Sequence, residues 1–119
     1  MALQATYQNM DGYLLVSVRG EWMDNPAMEI IKNIKSEAER AHQSRVLLNL
    51  MEMTPPPDMF SRFRAGEYMA QVWGPSLKVA VVWKQEYINQ FAENVAVNRG
   101  ARLRVFAAED QALQWLSHD

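Results

Sequence analysis

Short runs of β-branched and aliphatic residues, at 13–19 (YLLVSVR), 46–50 (VLLNL), 77–83 (LKVAVVW) and 103–106 (LRVF), alternate along this chain with stretches of a different pattern. In those stretches the apolar residues return every three or four positions, as in Ala27, Ile31, Ile34, Ala38 and Ala41. The first kind of run suits a strand, and one that is apolar throughout suits a strand covered on both faces; the second is the stripe of an amphipathic helix. Strands that alternate with helices are joined by right-handed crossovers and lie parallel. The alternation therefore points to an α/β chain built on a largely parallel sheet.

Local signals place the boundaries. A short strand at 3–8 is followed by Asp11-Gly12, a dipeptide that favours the tight turn of a hairpin with the strand at 13–19. Asp24 or Asn25 can cap the first helix, with Pro26 at its first position, where a missing amide hydrogen costs no hydrogen bond. Pro55, Pro56 and Pro57 hold the backbone extended until about Asp58. A second helix then carries the stripe Met59, Phe63, Gly66, Ala70 and Trp73 and stops at Gly74-Pro75. The spacing of Tyr87, Phe91, Ala92 and Val95 predicts a third helix ending at Gly100, and Glu109 and Asp110 suit the first turn of a closing helix over 108–116. The predicted order is β-β-α-β-α-β-α-β-α: five strands in a mixed, mostly parallel sheet, the first antiparallel at an edge, with four helices. No repeat or linker interrupts residues 1–119, and a chain of 119 residues buries roughly two thirds of its unfolded surface, so one domain is expected.

Composition removes several classes of function. The formal charge is -2 and Lys and Arg are nowhere concentrated, which argues against nucleic acid as a partner. There is no Cys, hence no disulfide, thiolate metal site or thiol catalysis. No apolar stretch approaches the eighteen or so residues of a membrane span and the first residues carry no basic segment, so the chain is read as cytoplasmic.

The opening hairpin, the element order and the closing segment FAENVAVNRGARLRVFAAEDQALQWL resemble the SpoIIAA-like family, STAS-related proteins named after the bacterial anti-sigma-factor antagonists. The resemblance covers nearly the whole chain and rests on structural motifs: a helix ending in Asn98-Arg99-Gly100, a strand ending in Phe106, and a helix ending in Ala112, Leu113, Trp115 and Leu116. It implies a STAS fold and a regulatory, protein-binding or ligand-sensing module that is not an enzyme. In antagonists of the usual kind the segment after the central strand resembles Asp-Leu-Ser followed by Asp-Ser-Ser, whose serine is phosphorylated at the start of a helix. On residues 49–59 that pattern puts Asn49 at the first Asp and Asp58 at the phosphoacceptor, so the switch residue is missing. Asp58 either supplies a fixed charge or is a capping aspartate; Thr54 and Ser61 are the nearest hydroxyls.

Two binding surfaces follow. Met51, Met53, Met59 and Phe60 form an apolar series, stiffened by the prolines, which lowers the ordering cost of docking a protein partner, a second copy of the chain included; with Thr54, Asp58 and Ser61 they make up the expected partner surface. The alternative is a small, apolar, lipid-like ligand at the carboxyl ends of the strands, among Glu21, Trp22, Met53, Phe60, Trp83 and Lys84, for which the remote CRAL-TRIO lipid carriers offer a loose parallel. The same Met and Trp residues serve equally as core filling beneath the loops. Catalysis has little support. His42 and His118 lack metal-ligand spacing, no base stands beside Ser61 in a known motif, and Glu21 and Asp24 read as surface or cap residues. Arg62 and Arg64, with Glu67 nearby, read as a solvated helix face, and Arg99 as helix termination. No cofactor or metal is expected.

Overall fold

The computed structural model describes residues 2–118. Its elements are β1 (Gln4–Asn9), β2 (Leu14–Gly20), α1 (Asp24–Arg40), β3 (Arg45–Met53), α2 (Met59–Trp73), β4 (Lys78–Val82), a 3-10 turn (Gln85–Tyr87), α3 (Phe91–Asn98), β5 (Arg102–Phe106) and α4 (Glu109–Ser117). The strands lie in the order β1-β2-β3-β4-β5; β1 runs antiparallel to β2 and every later pair is parallel. Each parallel crossover steps to the next strand in the same direction, and a right-handed connection then carries α1, α2 and α3 to one side of the sheet. The side chains divide accordingly. Val16, Val46, Leu48, Val79 and Val81 pack toward Ile31, Ile34, Ala65 and Trp73, whereas Leu47, Ala80 and Val82 meet Ala112 and Leu116 of α4 on the opposite face. Burial on both faces goes with the unbroken apolar run of β4 from Val79 to Val82.

Gly20 allows β1 to begin where it does. A Cβ there would sit 2.3 Å from the Ala2 carbonyl oxygen, and φ is +110°. The edge strand can therefore lie across the end of β2 only with glycine at that point.

Four details depart from the sequence expectations. Helix α1 begins at Asp24, so Pro26 is its third residue, and the N-cap is Met23 with no side-chain hydrogen bond. Neither Asp24 nor Asn25 caps it, because the Asp24 carboxylate is engaged elsewhere. The buried face of α2 is Ser61, Arg62, Ala65, Gly66, Ala70 and Trp73, which leaves Met59 outside and Arg62 inside. The third helix is divided: Tyr87 belongs to the 3-10 turn, and Gln90, in the left-handed region at φ 64°, separates it from α3. Finally, β3 runs on to Met53, past the end of β4, because β2 continues to pair with it through an irregularity between Ser17 and Arg19.

Candidate functional site

The carboxyl ends of the strands bring the first turns of α1 and α2 together, and Asp24 joins them. Its Oδ1 accepts from the Trp22 indole Nε1 at 2.7 Å and from the Ser61 hydroxyl at 2.8 Å, while Arg64 Nη1 stands 3.5 Å from Oδ2. These contacts, the Trp22 hydrogen bond foremost, hold the Asp24 carboxyl below the usual carboxylate range. Asp58 is the N-cap of α2, its Oδ1 accepting from the Ser61 amide at 2.8 Å. The cap satisfies one of the amide donors that the first turn of α2 leaves without an intrahelical partner. Around the junction three apolar side chains remain outside: Met23, 58% exposed, Met59, 49%, and Phe60, 71%.

The residues read from sequence as a partner surface separate into two groups. Asp58, Met59 and Phe60 are exposed, Met51 is just exposed and Thr54 is half-buried. Met53 and Ser61 turn inward, Met53 into the core and Ser61 onto Asp24. Asn49 is a local brace whose Oδ1 accepts from the Met51 amide at 2.9 Å. Met23, which the sequence reading passed over, joins the exposed set because α1 starts directly after it.

Behind this end of the molecule lies a cavity of about 60 Å³ between the sheet and α2 and α3, with a second lobe of about 40 Å³ beside it. Trp22, Met53 and Trp83 line the main lobe; Glu21, Phe60 and Lys84 are not among its lining residues. Lys84 lies instead over the Tyr87 ring, its Nζ 5.7 Å from the centroid. The strand order contains no point at which successive crossovers turn opposite ways, so the crevice on which a ligand site at the strand ends depends does not form between two sets of helices. The cavity sits beneath α2 and α3.

Arg62, expected from its spacing on a solvated helix face, is buried instead. It is 8% exposed; its Nε donates to the Pro57 carbonyl at 3.1 Å, its Nη1 to the Tyr87 carbonyl at 2.8 Å, and its guanidinium lies 4.8 Å from the centroid of the Trp83 ring. One side chain thus ties the proline segment to the turn after β4. Burial lowers its pKa, and among the described residues no carboxylate lies within ion-pair distance of it. Glu93 also lines the cavity, accepts from the Val105 amide at 3.3 Å, and has its pKa raised, burial being the main cause. Among the described residues no three His, Asp or Glu gather as metal ligands, and no helix is long and apolar enough to cross a membrane.

A five-stranded mixed sheet with three crossover helices on one face and a closing helix on the other defines a STAS, or SpoIIAA-like, fold. Two solved structures carry the likeness. An anti-sigma factor antagonist from Mycobacterium paratuberculosis matches with a TM-score of 0.70 at 14% identity, over 98% of this chain and 96% of that one. An uncharacterized protein with a SpoIIAA-like fold from Shewanella loihica matches with a TM-score of 0.57 at 17% identity, over 96% and 93%. No family model matches the sequence, and no curated protein is detectably similar to it.

Proposed function

We propose that the chain is a non-catalytic regulatory module that binds a protein partner through the end of the fold where α1 and α2 begin. The observation that carries this reading is the exposure of Met23, Met59 and Phe60 around the Asp24–Ser61 hydrogen bond. Large apolar side chains held outward by a braced junction suit a partner's pocket, since the loop and helix starts beneath them are already ordered before binding. The fold shared with an anti-sigma factor antagonist gives a protein partner further support. Met51, Thr54 and Asp58 border the surface, and the ends of Met53 and Ser61 serve it from below by fixing β3 and α2.

Binding is constitutive in this reading. Asp58 stands where the resemblance puts the phosphoacceptor, and its carboxylate is committed to the Ser61 amide. The Ser61 hydroxyl is itself buried and donates to Asp24, away from a modifying enzyme.

The test replaces Met59 with Glu and Phe60 with Asp together. Both positions lie in the first turn of α2, where acidic residues are favoured by the helix dipole, so the fold is preserved. The wild-type chain, immobilised, should retain one discrete protein from the lysate of its own cells, and the double variant should lose it by more than about tenfold, or about 1.4 kcal/mol. Equal capture by a folded double variant removes this surface from the account.

A further inference from the structure

We propose that β1 pairs edge to edge with β1 of a second copy of the chain, antiparallel about a two-fold axis at Tyr7, so that two five-stranded sheets join into one. This contact lies on the sheet edge, apart from the α1–α2 surface, and stands or falls independently of it.

The hydrogen-bond phase of the hairpin shows which groups β1 offers. The Met10 amide donates to the Tyr13 carbonyl at 2.9 Å, and the register steps back from there without a break, through Gln8 with Leu15 and Thr6 with Ser17 to Gln4 with Arg19. The amide and carbonyl of one residue point to the same side of a strand and alternate along it, so those of Gln8, Thr6 and Gln4 close the ladder to β2. Those of Ala5, Tyr7 and Asn9 point outward, and no strand lies beyond them.

The other edge of the sheet is protected. The Trp83 amide donates to the Phe106 carbonyl at 3.0 Å, which turns the backbone groups of Phe106 and Arg104 toward β4 and those of Val105 and Leu103 outward. The Val105 amide donates to the Glu93 carboxylate of α3 at 3.3 Å, and the exposed Arg102 and Arg104 put like charges on the strand. A capped donor and charged side chains both discourage edge pairing. β1 has neither device: Gln4–Asn9 contains no charged residue and no proline, and its register with β2 has no bulge.

Backbone groups alone would accept any extended strand; the side chains single out a second β1. Centring the pair on Tyr7 sets Tyr7 against its own copy and Ala5 against Asn9 of the other, and these three matched positions close about six backbone hydrogen bonds. Thr6 then faces Gln8 on the exposed side of the sheet, uncharged against uncharged. On the other side the two Tyr7 rings meet. Each is only half-buried in the single chain, so α1 leaves room above the edge, and cross-strand aromatic pairs stabilise a sheet.

The test is sedimentation velocity on the full chain. One strand pair is a contact at the small end of interfaces, so the wild type should pass from monomer at about 5 μM to dimer at about 1 mM, a Kd on the order of 0.1 mM. Thr6→Lys with Gln8→Lys alters exposed positions only and sets each lysine against a lysine of the other copy. It should weaken the dimer by about tenfold or more and leave the thermal midpoint of the dilute protein unchanged. Thr6→Glu with Gln8→Glu should do the same, and the two variants mixed should dimerise again, as the pairing of position 6 with position 8 requires. Ala5→Pro, which removes an outward donor and leaves the ladder to β2 whole, is a second route to a folded monomer. A wild type that stays monomeric at about 1 mM overturns the proposal. So does a dimer that survives these variants, one that is lost with Met59→Glu and Phe60→Asp in their place, or a mixture of the lysine and glutamate variants that stays monomeric.

Discussion

His42 occupies the left-handed region at φ 57°, one position past the cap of α1. Its amide donates to Glu39 and the next amide, of Gln43, reaches back to Ala38. That is the Schellman closure of a helix, and the same closure ends α3, where Gly100 takes the left-handed position and the amide of Ala101 reaches Ala96. A Cβ in this conformation costs roughly 1–2 kcal/mol, and glycine gives back about half of that in unfolded-state entropy. His42→Gly should therefore raise stability by about 0.5–1 kcal/mol and the thermal midpoint by a few degrees, read by calorimetry; a lowered midpoint contradicts the assignment. Asp24 makes a pH prediction. Its folded-state pKa lies below its unfolded value, so its contribution to stability is complete above the ordinary carboxylate range, near about 4, and is lost as pH falls through the lower folded value. Urea midpoints taken between about pH 5 and pH 2 should fall less steeply for Asp24→Asn than for the wild type. Parallel curves would separate Asp24 from the acid response.

Helices α2 and α3 meet at Gly66, where a Cβ would come 2.8 Å from the Ala92 carbonyl oxygen and 3.1 Å from the Val95 Cβ. In an exposed helix, glycine to alanine gains about 1 kcal/mol of propensity, whereas overpacking costs about 1–3 kcal/mol. The nearest obstacle is backbone, which yields least, so Gly66→Ala should lower the urea midpoint by an amount worth about 1 kcal/mol or more, with an unchanged slope. A stabilised variant would show that α3 is free to move off α2. Much at this scale was legible in the sequence. The Asp11-Gly12 hairpin, the buried face of α1 and the stop signals at Gly74 and Gly100 depend on neighbours within one or two turns, and such neighbours are what spacing records. The buried face of α2 was not. Arg62 lies inside because two carbonyls, at Pro57 and Tyr87, arrive to accept from it, and the second stands 25 positions away. The cavity was half legible: Trp22, Met53 and Trp83 follow from the strand ends, but Arg62 and Glu93, which also line it, are brought there by the packing of α2 and α3. The left-handed turn at Gln90, which divides the third helix, carries no glycine to announce it.

Across the whole molecule the two ends of the sheet differ in kind. At the end where β4 begins, Lys78 donates to the Trp115 and His118 carbonyls and ties down the end of α4. At the other, apolar side chains stay outside around a hydrogen-bonded junction. Exposed apolar side chains grouped in this way mark candidate interaction sites, and the proposed partner surface accounts for them. Spacing singled out Asp58, Met59 and Phe60, which are exposed, and passed over Met23, whose exposure follows from where α1 begins. The decisive measurement is photo-crosslinking in cells with a benzophenone amino acid at position 60, set against the same probe at position 97 on α3, where Val97 is also exposed. One discrete protein adduct is expected from position 60 and none from position 97, its mass identifying a different protein or a second copy of the chain. No adduct at position 60 above that at position 97 would contradict it.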